Sequence, residues 1–83
     1  MNAEVEKAAK VQEYLKKWSE LIERKRMLHW PDRGSTELLI EETQILQGLA
    51  DCGYQQFPHA AFSVVEMLED HKRVLQERRD RYS

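Results

Sequence analysis

Apolar residues in the first third of the chain fall on a helical spacing. Val11, Leu15, Trp18 and Ile22 recur by fours and threes, and Tyr14, Leu21 and Leu28 repeat every seven beside them. A stripe of that period marks one face of a helix and not a strand. The pairs Glu6–Lys10, Glu13–Lys17 and Glu20–Arg24 stand four apart with the acid first, the order that supports a helix. The pattern predicts a helix over 3–29, roughly 40 Å long at ~1.5 Å per residue.

The stretch RKRMLHWPDRGSTELL, residues 24–39, breaks this stripe and starts another. Pro31 disfavours helical geometry at Trp30, and Asp32 and Gly34 form turns. Ser35 suits a helix cap and Glu37 its first turn. A second helix is therefore predicted over 35–51. Leu38, Ile45, Leu49 and Cys52 form one edge of its apolar face, Leu39 and Leu46 the other, and Gly53 closes it. Tyr54 to Phe57 reads as a short loop. Pro58 suits the first turn of a third helix, predicted over 58–80, with Ala61, Val64, Val65, Leu68 and Leu75 on one face.

Placing residues at about 100° each exposes the exceptions in these stripes. Glu42 falls inside the apolar arc of the second helix, and Lys25 and His29 continue the Val11–Trp18–Ile22 line. Counting back from a short turn puts Glu42 level with Lys25. The expectation is a partly buried Lys25–Glu42 pair that fixes register, with His29 as the other candidate partner. His71 lies between Leu68 and Leu75 on the apolar face of the third helix. It reads as a hydrogen-bonded core or interface histidine, with a pH-sensitive role as the alternative.

The expected fold is all-α: an antiparallel helical hairpin plus a third helix, a three-helix bundle in one domain over 1–83, with a long first helix. Composition agrees, since 41% apolar residues beside 34% charged is too apolar for a disordered chain. Cys52 is the sole cysteine, which excludes an internal disulfide and suits a reducing compartment such as the cytoplasm. No basic-flanked apolar run opens the chain, so no secretory signal is expected. No run approaches the ~18–20 apolar residues of a membrane span.

Chemistry is sparse. Cys52, His59 and His71 lack the paired short spacings and fourth ligand of a structural zinc site. Cys52 sits at a helix C-terminus, where the dipole disfavours a thiolate. No phosphate-binding glycine loop or nucleophile constellation is present. No catalytic site, metal or cofactor is expected. A small nucleic-acid-binding transcriptional regulator is the alternative function, resting on Arg24, Lys25 and Arg26 and on the basic end of the third helix. The net charge of −2 gives no global field for it. In LADCGYQQFPHAAF, Gly53 falls three residues after Ala50 where the DNA-reading motif needs four.

The remaining reading is a non-enzymatic protein–protein interaction module: a small adaptor, regulator or inhibitor. Short helical chains of this kind are common among phage and mobile-element accessory proteins, an analogy of fold alone. The first helix outruns the second, and so leaves Val11, Tyr14, Leu15 and Trp18 for the third helix or a second copy to cover. These four are the candidate self-association residues of a homodimer. Ile40, Phe62 and the Arg78, Arg79 and Arg81 end are candidates for an outside partner. Phe62 marks a partner surface if it joins Met67 or Val74 in one patch.

Overall fold

The structure, a computed structural model, describes residues 2–29 and 34–82. These form three α-helices with no strand among the described residues. The expected turn formers Pro31 and Asp32, with Trp30, lie outside them.

Helix α1 spans Ala3–Met27. The Asn2 side chain accepts from the Glu4 amide at 3.0 Å, and Glu4 and Glu6 face the positive end of the helix dipole. Arg24, Lys25 and Arg26 occupy the last turn, where the dipole favours cations. Leu28 turns extended, so the helix stops two residues short of the expected end, yet its side chain still packs on the core.

Helix α2 spans Thr36–Asp51, capped by Ser35, whose hydroxyl accepts from the Leu38 amide at 3.2 Å. Its far end is a Schellman motif. Gly53 takes a positive φ of 82°, its amide donates to Ala50 O at 3.0 Å, and the Tyr54 amide donates to Leu49 O at 2.9 Å.

Helix α3 spans Val64–Tyr82, beginning six residues later than Pro58 suggested. His59 adopts φ +66°, a left-handed conformation that a right-handed helix cannot contain. The start is fixed instead by Ser63, whose hydroxyl accepts from the Glu66 amide at 3.2 Å, and by the Val64 amide, which donates to Gln55 O at 2.8 Å. Ala61 therefore lies outside the helix, and Val65, expected in the core, is exposed.

Both α1 and α3 pack against α2. The buried core takes Leu21 from α1, Leu38, Ile45, Leu46 and Leu49 from α2, Phe57 from the connection, and Val64 and Leu68 from α3. Each such side chain withdrawn from water contributes about 1.5–3 kcal/mol. α2 supplies half of the core because it has a neighbour on two sides.

Candidate protein-binding surface

Two features of the α2–α3 half bear on function: a buried polar junction, and an apolar cleft with His71 in its wall.

The junction is centred on Glu42. Its side chain is 7% exposed, and each carboxylate oxygen has its own partner. Lys25 of α1 donates to Oε2 at 2.8 Å, and His71 Nε2 of α3 lies 2.7 Å from Oε1. A buried carboxylate is costly unless paired and hydrogen-bonded, and here donors from both flanking helices meet that need. Burial pushes the Glu42 carboxyl up, but the hydrogen bonds from His71 and Lys25 outweigh it and hold the group below its ordinary value. The bond to Glu42 raises His71 above the usual histidine value, against the pull of burial. Asp70 on the same helix adds to the rise. His71 Nδ1 is buried without a partner in hydrogen-bond geometry, although the nearby Met67 carbonyl one turn back also favours the protonated ring.

His71, and not His29, is therefore the second partner of Glu42. His29 is exposed, because α1 ends before reaching it and the chain has turned away. Lys25 meets Glu42 while Tyr14, earlier on α1, lies over Gly48, later on α2, so residue numbers fall along α1 as they rise along α2. Arg24 consequently meets Glu41 across the helices, in place of the expected Glu20 on its own helix. Between α2 and α3 the same reversal appears: His71 meets Glu42, and Arg78 Nη1 donates to Thr36 Oγ1 at 3.1 Å.

Val11, Tyr14, Leu15 and Trp18 are half-buried and pack against the core. The length of α1 suggested that α2 could not cover them. The cover comes from the end of α2 and from the connection beyond it. Trp18 stacks on Phe57 with ring centroids 4.6 Å apart and planes 19° from parallel. Tyr14 lies so close to Gly48 that an added Cβ would meet its ring at 2.3 Å. Phe57 was the missed residue. It reads as loop in the sequence, and its place beside Pro58 carries no periodic signal.

The cleft lies along α3. Phe62, Glu66, Met67, Asp70 and His71 line a space of about 380 Å³, so Phe62 does share a surface with Met67, while Val74 does not line it. Phe62 is 60% exposed and Val65 54%. Val65 lines a neighbouring depression with Ala50, Tyr54 and Ser63. Ile40 is also exposed, on α2, and does not line the Phe62 cleft. Arg79 and Arg81 are exposed, while Arg78 is half-buried and held by Thr36.

Among the described residues, no cluster of three or more His, Cys, Asp or Glu side chains is placed to hold a metal ion. No helix of those residues is long and apolar enough to cross a membrane. The chain matches no protein-family model, no curated protein and no solved structure.

Proposed function

We propose that this chain is a non-enzymatic protein-interaction module, a small adaptor, regulator or inhibitor that covers a working surface of another protein. The contact reversals described above support reading α1 and α2 as an antiparallel hairpin, with α3 laid back along α2 as the third member of a bundle. The observation that carries the functional reading is Phe62, a large aromatic ring standing in water at the mouth of a cleft it shares with Met67. Aromatic side chains seated beside a pocket are frequent anchors of interfaces. The buried polar groups serve a different end: both oxygens of Glu42 are committed to helix partners, which leaves neither to act on a substrate.

Replacing Phe62 with a photoreactive p-benzoylphenylalanine in the producing cells tests this. A discrete adduct of one mass is expected on irradiation. The same substitution at exposed Gln12 should give none. Identical adduct patterns from both positions, or none at Phe62, would overturn the assignment. Self-association belongs to the same proposal, through the half-exposed strip of Val11, Tyr14, Leu15 and Trp18. Sedimentation equilibrium at high micromolar concentration should give the mass of two chains, and a strict monomer would remove it.

A further inference from the structure

The carboxylates in the wall of the Phe62 cleft narrow the partner. Glu66 and Asp70 both line the cleft, while Glu69 on the same helix lies outside the lining and pairs with Lys72 at 3.9 Å. Asp70 is bridged by Arg73 at 2.6 Å. Glu66 has no ion pair among the described residues, and it lines the cleft beside Phe62. The single basic group in the wall, His71, already faces Glu42, which faces Lys25. Its Nε2 is thereby committed to Glu42.

We infer that the cleft receives an apolar side chain from a basic segment of a partner protein, with a flanking lysine or arginine paired to Glu66. The inference rests on the reading of Phe62 as a partner contact, and adds the chemistry of what it contacts. The apolar side chain would lie between Phe62 and Met67. The cation would sit beside Glu66 at the rim, within reach of the Phe62 ring face, where cation–π attraction adds to the ion pair. Charges at such a rim act mainly on specificity and association rate, so discrimination between partners should be electrostatic and weakened by salt.

Two synthetic helical peptides test this, with the same leucine stripe and with lysine flanks in one and glutamate flanks in the other. Each is titrated into the full chain labelled with nitrogen-15. The lysine peptide should bind roughly tenfold or more tightly than the glutamate peptide, the ratio that follows from about 1.4 kcal/mol of discrimination. Its shift changes should centre on Phe62, Glu66 and Met67. Phe62→Asp should abolish binding of the lysine peptide at this site, and Glu66→Gln should bring the two affinities together. Circular dichroism of both variants establishes that the helices persist. Equal affinity of the two peptides at the Phe62 cleft would overturn the charge assignment and leave the contact role of Phe62 standing. No binding of either peptide, or shifts centred elsewhere, would overturn the cleft as an acceptor of basic segments. The photocrosslinking result at Phe62 then decides separately whether that residue meets a protein at all. A change in sedimentation mass in step with the Phe62→Asp shift changes would make a second copy the occupant, and would also overturn the proposal.

Discussion

Two of the junctions that fasten α1 to the rest of the molecule work by opposite means. At Glu42, a buried carboxylate gathers Lys25 and His71, so one residue of the middle helix touches both outer helices. Six residues on, Gly48 leaves the space that Tyr14 fills, and Phe57 stacks on Trp18 beyond it. The first junction is directional. It is satisfied only when three side chains arrive in register, and it answers to protonation. The second depends on shape and on area removed from water, and does not answer to protonation. Register is thus set at one place and adhesion at another, a division that a uniformly apolar seam would lack.

The largest expected effect lies at the aromatic junction. Phe57→Ala should destabilise by about 3–5 kcal/mol, the range for a buried aromatic, read from the urea midpoint at unchanged slope. A loss under about 1 kcal/mol would mean the connection is not part of the core, and the contrast drawn here would fail.

Glu42→Ala should cost about 3 kcal/mol, because it strands Lys25 and His71. Replacing the whole junction, with Lys25→Met, Glu42→Leu and His71→Leu together, should cost less than the single change. Replacing only Lys25 and Glu42 leaves His71 Nε2 without its acceptor, so that pair of changes should fall between the two. A triple variant weaker than Glu42→Ala would show that the junction stabilises by more than mutual satisfaction.

Acidity should separate the two junctions. His71 is raised on folding, so its contribution is complete below the ordinary histidine value and is lost as pH climbs through the higher folded value. Glu42 is lowered, so its contribution is complete above the ordinary carboxylate value and is lost as pH falls through the folded one. Stability should therefore be greatest between about pH 4.5 and 6.5 and decline on the alkaline side. Thermal melts of His71→Leu should lose that alkaline decline, whereas Phe57→Ala should lower the whole curve and keep its shape. An alkaline decline unchanged in His71→Leu would assign it to another group.

The smallest effect sharpens the contrast most. Gly48→Ala gains up to about 1 kcal/mol of helix propensity but displaces the Tyr14 ring. The two should nearly cancel. In a Tyr14→Ala background the same change should be plainly stabilising, and equal effects in both backgrounds would mean that Tyr14 does not press on Gly48.

Much of this architecture was readable in the residues. The stripe through Val11, Leu15, Trp18 and Ile22, the Ser35 cap and the Gly53 stop each have a local cause. Lys25 could be set level with Glu42 by counting back from a turn, because a short link leaves little choice of register. His71 could not be placed in that way. Its position against α2 depends on the path of residues 52–63, which includes a left-handed His59 that no propensity foretells. The start of α3 at Val64 instead of Pro58 has a related reason. Pro58 and Ser63 both signal a helix start, and only Ser63 is followed three residues later by a glutamate, as a capping box requires. Phe62 was legible only as an apolar residue off the expected face. That it opens on Met67 and Glu66 depends on where the helix begins.

Every residue from Asn2 to Lys10 is exposed, so the leading turns of α1 stand clear of α2 and rest on the Asn2 cap and their own hydrogen bonds. So short a stretch of helix in water melts and re-forms readily. In deuterated solvent its amides should exchange quickly, and protection should climb along the same helix to a maximum near Leu21. α1 is in this sense a rod clamped at one end, its tip opening and closing while its base stays shut.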